Sequence, residues 1–214
     1  MQTTGAQTVA TTSTRDETKA VFNWLIDRWQ WPAATLFAAY MLLALTPVWI
    51  VTMGATLALV LLQLPIYMVH QFEEHTGDRF RKYANDHTAH CEALTKSGTF
   101  VINSVGVWGV DLVMIYLAVF VSPIYALAAF YLPLVNGTTH ILMSIIRREY
   151  NPGLWTSIVL FLPLAGWGLV YVSRETAAPW TAQALGLGLA LAVHAAIIVY
   201  VVSRVRRLRS AHAA

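Results

Sequence analysis

A histidine followed by a carboxylate four residues later can hold a divalent ion or run acid–base chemistry, provided both lie on one helix. His70 and Glu74 have that spacing, with Glu73 beside them, in the stretch His70-Gln71-Phe72-Glu73-Glu74. Residues i, i+3 and i+4 are neighbours on a helix surface, so the three side chains form one group. They make only part of a metal site. No further histidine stands at the spacing of the H-E-x-x-H zinc motif, and no second Glu-x-x-His element appears, as bundle di-iron sites require. From this segment alone zinc fits better than a di-iron pair, and any metal needs a ligand from another part of the chain.

The elements that position the trio follow from composition. Of 214 residues, 57% are hydrophobic and 12% charged, about half the charged fraction of a soluble domain. Across 33–72, 98–146, 153–173 and 179–203 the one formally charged side chain is Asp111. Stretches of about 18–20 apolar residues cross the hydrocarbon of a bilayer, and helices satisfy their own backbone there. The expected fold is all-α, an integral membrane bundle of about six transmembrane helices. The spans read as about 33–51, 55–72, 99–121, 124–146, 154–173 and 180–202, within a single membrane domain over 21–203. The turn between the first two falls at Thr46-Pro47 or Thr52-Met53-Gly54, the second dividing the lengths more evenly. Pro65 is expected to kink the second span.

The flanks complete the frame. Residues 1–20 are Thr-rich and polar without the apolar core of a signal peptide, so they read as a disordered leader. Val21, Trp24, Leu25 and Arg28, with Trp29 and Trp31, suggest an interfacial N-terminal helix. Phe80, Tyr83, His87, Cys91 and Leu94 recur at helical steps in the 75–97 loop and suggest a cytoplasmic amphipathic helix. Residues 204–214 form a basic cytoplasmic tail with Arg204, Arg206, Arg207 and Arg209. With six spans every Lys and Arg except Arg174 falls on one face. The positive-inside rule makes that face cytoplasmic, so both termini are expected inside the plasma (cell) membrane. The basic residues flank spans and form no separate domain, so no nucleic-acid partner is expected. The single Cys91 excludes an internal disulfide.

This topology nominates the missing ligand. His140 lies seven residues before Arg147, about 10 Å below the cytoplasmic boundary by helical rise. His70 lies six residues before Thr76, at nearly the same depth. Asn136 shares the His140 face and Asn103 falls at a similar level, with Thr138 and Thr139 flanking. Polar groups from three spans thus converge on one layer.

Residues 70–74, 140 and 150–153 carry a resemblance. The chain resembles the HXXEE domain family of small multi-pass bacterial membrane proteins. That family is marked by a His-x-x-Glu-Glu motif, a further histidine and a Tyr-x-Pro-Gly motif. Here these read His70-Gln71-Phe72-Glu73-Glu74, His140 and Tyr150-Asn151-Pro152-Gly153, and the resemblance covers about residues 33–170. It implies a membrane protein with a catalytic or metal site, and implies no substrate.

The expectation is a membrane-embedded enzyme site at the cytoplasmic face. Its catalytic candidates are His70, Glu73, Glu74 and His140, and its binding candidates are Asn103, Asn136 and Tyr150. His70, Glu74 and His140 would hold a divalent metal such as zinc, leaving a position for water or substrate. Glu73 would act as general base or orient a histidine. A metal-free acid–base version uses the same groups. The substrate would be amphiphilic, with hydrolysis or isomerisation of a lipid-like or isoprenoid-like molecule fitting the geometry. Four readings compete with it. Solvated carboxylates at a span's end need no function, intramembrane histidines also serve helix packing, and Asp111 with His194 near mid-membrane could instead serve a proton-coupled transporter. A non-catalytic partner subunit is the fourth. Tyr150 could fold over the cytoplasmic mouth, because its turn follows the span carrying His140.

Overall fold

The computed structural model describes residues 5–213, with side chains from 16 to 211. Residues 1–4 of the leader and Ala214 of the tail lie outside the described residues. All regular structure among the described residues is helical. Eight helices follow in order: α1 Gly5–Asp27, α2 Trp31–Ala44, α3 Thr46–His75, α4 Arg79–Ala84, α5 Lys96–Phe120, α6 Pro123–Arg147, α7 Leu154–Glu175 and α8 Trp180–Ala213. Five of them, α3 and α5 to α8, are long and apolar enough to cross a membrane. The sixth apolar helix, α2, has only 14 residues, about 21 Å of rise, short of the roughly 30 Å hydrocarbon core.

The chain divides into two units, 1–31 and 32–214. α1 starts at Gly5, earlier than the short helix expected from Val21, and takes in most of the polar leader. No glycine or proline interrupts residues 6–27, so neither of the strong helix breakers falls within α1 beyond its first residue.

In the second unit the break between the first two apolar stretches is shared between both expected positions. Leu45 separates α2 from α3, and Gly54 inside α3 is non-helical at φ 82. Pro65 lies inside α3, and the residue that leaves helical angles is Gly54, at the second expected break. A residue without Cβ takes positive φ without strain, which makes it the weaker point. α5 and α7 each contain a wider, π-helical stretch, over Ile102–Trp108 and Ser157–Ala165. Such stretches insert a residue into a helix and turn its faces. The amphipathic helix expected in the 75–97 loop is α4, extended by a π-turn over Asn85–Ala89. Arg81 ties that loop to Asp78 and Glu92, and Arg204 of α8 donates to the Ala93 carbonyl at 2.8 Å. α8 therefore stays helical through the basic tail and docks on the loop.

The core lies where α3, α5, α6, α7 and α8 meet. Tyr67, Val107, Leu132, Phe161 and Ala190 form one buried cluster drawn from all five. α6 and α7 pack closely at Gly137, where an added Cβ would lie 3.3 Å from Phe161 Cβ and 3.4 Å from Ser157 Cβ. Small residues let helix backbones close up in this way. That approach sets His140, three residues further on, against the start of α7.

Candidate metal centre

α3 carries His70 and Glu74 to its last turn, both buried, at 0% and 5% exposure. α6 brings His140 to the same place, at 6%. The ligand atoms of His70, Glu74 and His140 all lie within 4.8 Å of one another, and the group could hold a metal ion. His70 Nε2 is 3.5 Å from Glu74 Oε2, and His140 Nε2 is 3.4 Å from Glu74 Oε1. Tetrahedral bonds of about 2.0–2.1 Å put neighbouring donor atoms roughly 3.3–3.4 Å apart. Each histidine faces a different oxygen of the carboxylate, and both separations are long for direct hydrogen bonds.

The hydrogen bonds behind the histidines decide which nitrogen faces the carboxylate. The Thr156 hydroxyl donates to Glu73 Oε2 at 2.6 Å, so the hydroxyl accepts from His70 Nδ1 at 2.8 Å. Asn151 Nδ2 donates to the His140 carbonyl at 2.8 Å, which turns Asn151 Oδ1 toward His140 Nδ1 at 2.6 Å. Both rings therefore carry a proton on Nδ1 and turn Nε2 toward Glu74. His70 Nε2 is buried with no hydrogen-bond partner. Metal-ligating histidines are held in this manner by an acceptor on the far nitrogen. The donor set, two imidazoles and a carboxylate, suits zinc.

Every residue of Tyr150-Asn151-Pro152-Gly153 is used or buried at this site. Asn151 holds His140, Tyr150 donates to Glu73 Oε1 at 2.9 Å, and Pro152 is buried. Gly153, at φ 100, passes against both rings: a Cβ there would lie 2.7 Å from His70 Cε1 and 2.8 Å from His140 Cε1. Gly153 is also the N-cap of α7, where it has no side chain to offer the free N–H groups. Glu73 caps them from α3 instead. Its carboxylate accepts from the backbone of Trp155 at 3.1 Å and of Thr156 at 2.7 Å, besides the Thr156 and Tyr150 hydroxyls. The positive end of the α7 dipole favours an anion there. The two glutamates therefore differ: Glu74 faces the histidines, and Glu73 joins α3 to the start of α7.

Burial, with the Glu73 carboxylate beside it, pushes the Tyr150 phenol up to about 12. It remains a neutral donor at neutral pH. Tyr150→Phe removes one of Glu73's four donors and is expected to cost about 0.5–1.5 kcal/mol. Glu73→Gln turns an amide N–H₂ toward groups that are all donors and is expected to cost more, about 1–3 kcal/mol. Thermal melts in detergent test the order. Melts of Glu73→Gln no lower than those of Tyr150→Phe would show that the cap is not what joins these helices.

The remaining expected site residues are placed elsewhere. Asn103 accepts from Gln71 Nε2 at 2.9 Å and donates to the Thr99 carbonyl at 2.8 Å, and Trp108 donates to Gln71 Oε1 at 2.6 Å. This is a second network, on the Gln71 side of α3. Asn136 Oδ1 is buried with no hydrogen-bond partner.

His75, Asn151, Gly153 and Thr156 join the site without having been expected in it. His75 Nε2 lies 3.1 Å from Glu74 Oε2, on a residue 5% exposed. Positions i and i+1 do not face each other within a helix. His75 is the last residue of α3, with backbone angles φ −110, ψ −8 that depart from a regular helix. The remaining three had one readable signal, the turn chemistry of 150–153 with Thr156 at the third helical position after it. Aromatic rings enclose the group: Phe161 4.3 Å from His70, Tyr67 5.8 Å from His70, and Phe80 5.8 Å from His140 between ring centroids.

A family profile described as a protein of unknown function with HXXEE motif matches residues 61–168. No curated protein and no solved structure matches the chain.

Proposed function

The chain belongs to the HXXEE-motif family, and we propose that it is a membrane-embedded, metal-dependent enzyme acting on an amphiphilic, lipid-like or isoprenoid-like substrate. The observation that carries this reading is the pair of Nε2 atoms turned on one buried carboxylate, each ring fixed by an acceptor on its far nitrogen. A proton or a metal cation must lie among them, and a divalent ion such as zinc matches the donor set. His70, Glu74 and His140 would hold it. An ion so bound supplies Lewis acidity toward a carbonyl or phosphoryl oxygen.

The other residues bind, orient and exclude water. Thr156 and Asn151 keep the imidazole protons on Nδ1. Glu73 ties α3 to α7, and His75 stands on the open side of Glu74. Phe161, Tyr67 and Phe80 form an apolar wall against which a hydrocarbon chain could lie. Hydrolysis or isomerisation fits such a wall beside a Lewis acid.

Five apolar helices are long enough to span a bilayer. The break at Gly54 supports reading α2 with the first turns of α3 as a further span, which gives six. With six spans the basic residues, Arg174 excepted, fall on the side of the metal cluster. On the positive-inside rule that side is cytoplasmic, with both termini inside a plasma membrane.

Elemental analysis tests the centre. The purified protein is expected to carry about one zinc per chain, or to take it up after chelation and dialysis. His70→Ala and His140→Ala are expected to carry none. Wild type that takes up no more metal than these variants would end the metal reading. Lipid and metabolite profiling of cells with and without His140→Ala then asks which molecule accumulates.

A further inference from the structure

The metal cluster is closed on the side of the polar 75–97 loop. His70, Glu74 and His140 are at most 6% exposed, so an ion or a substrate headgroup reaches them only after something moves. Tyr67 and Phe161 stand on α3 and α7, inside the packed bundle. Phe80 stands on the short α4 instead. Its ring lies 5.9 Å from that of His75 and 5.8 Å from that of His140. It thus roofs the cluster from the end of α3 across to α6.

The segment that carries Phe80 is tied into one piece. Arg81 of α4 pairs with Asp78 and with Glu92. Asn85 donates to Glu92 Oε2 and to the Leu94 carbonyl, both at 2.9 Å, and accepts from the Leu94 N–H at 2.8 Å. Residues 78–94 therefore hold their shape by bonds that need neither α6 nor α8. Where this piece leaves α3, Gly77 (φ 67) and Asp78 (φ 64) are both left-handed. Gly77 is exposed, with nothing within 4 Å of an added Cβ, so rotation there meets no packed neighbour. At its other edge the piece is fastened to the bundle by side chains. Tyr83 donates to Glu149 Oε1 at 2.8 Å, just beyond α6, and Arg204 of α8 donates to the Ala93 carbonyl at 2.8 Å. Both donors are partly exposed, where water can take over such a bond at small net cost. A free pivot at one edge and replaceable bonds at the other are what an opening segment needs.

We propose that residues 78–94 form a lid that pivots at Gly77, latched by Tyr83 and Arg204, and that its opening gives solutes in the water access to His70 and His140. That an ion and a substrate use this route rests on the function proposed above, whereas the lid is tested without either.

Diethylpyrocarbonate, which carbethoxylates accessible neutral imidazoles, probes the metal-free full chain in detergent, each histidine being followed by peptide mass spectrometry. Exposed His90 reports the unhindered rate. His194, about 15 Å before Arg204 along α8 by helical rise, reports loosening of the bundle. His140, reached only through transient opening, is expected to react about tenfold or more slowly than His90 in wild type. Its rate then follows the open population, and losing one hydrogen bond shifts that population about three- to tenfold. Tyr83→Phe and Arg204→Met are each expected to raise the His140 rate by that factor and together by the product. His90 and His194 should keep their rates. His140 reacting as fast as His90 in wild type would show that nothing covers it and overturns the proposal. So does an unchanged His140 rate in the double variant or, should that not fold, in both single variants. Rates at His140 and His194 that rise together mean general loosening and overturn it as well. Zinc uptake is scored separately, so a chain that binds no zinc ends the metal reading while these rates still decide the lid.

Discussion

Gly153→Ala is expected to lower stability by about 2–6 kcal/mol, combining backbone strain of about 1–3 kcal/mol with overpacking of about 1–3 kcal/mol. The backbone at Gly153 has φ 100, a region L side chains rarely adopt. The new methyl would also lie 2.7 Å from His70 Cε1, 2.8 Å from His140 Cε1 and 3.1 Å from His140 Nδ1. Neither ring can retreat freely: Thr156 and Asn151 hold their Nδ1 atoms, and Phe161 lies 4.3 Å from His70 between ring centroids. Relief must come from separating the histidines or from lifting 150–153 off α3. Either movement breaks the geometry that a shared ion needs, so zinc uptake should fall together with the melting temperature. Gly77→Ala is the control, since Gly77 has φ 67 and nothing within 4 Å of an added Cβ. It carries the strain without the clash and should leave zinc uptake intact. Gly153→Ala that melts and binds zinc like Gly77→Ala would show that the glycine is only a turn residue.

Much of this arrangement is legible in the sequence because helical geometry is local. The i, i+4 spacing places Glu74 over His70, and counting residues back from the charged flanks places His140 level with them. Spans end where charges begin, so the long apolar helices are visible from composition. What local spacing cannot show is which face of α6 or α7 turns inward. Gly137 and the wide stretch of α7 decide that, through a close approach and a rotation that no periodicity records. The role of Glu73 is hidden for the same reason, because its partners are free N–H groups of a helix about 80 residues away. Asn103 is tied to Gln71 and Thr99, pairings that counting residues along separate helices does not reveal. His75 escaped notice because its backbone departs from the regular helix that such counting assumes.

Glu74→Gln is expected to weaken zinc binding by more than about 100-fold while leaving the fold in place. Loss of an outer contact such as Thr156→Val or Asn151→Leu should cost about 10–100-fold, the usual range for groups that orient a ligand. The substituted amide keeps the volume of the carboxylate but removes the only anion facing the two Nε2 atoms, which lie 3.5 and 3.4 Å from it. His75 sharpens the reading, its Nε2 being 3.1 Å from the same carboxylate. If Glu74 served only to pair with protonated histidines, the substitution would change stability and its dependence on pH without involving zinc. If Glu74 is a ligand, zinc should raise the melting temperature of wild type, by about 2.7 kcal/mol of stability at one hundred times its dissociation constant. It should then raise that of Glu74→Gln hardly at all. A chelator competition titration gives the affinities, and melts with and without zinc give the linkage. The order wild type, then Asn151→Leu and Thr156→Val, then Glu74→Gln, identifies a centre built from the inside outward. Equal zinc affinities across the four proteins would remove the ion from the site and leave His70, Glu74 and His140 as an acid–base group.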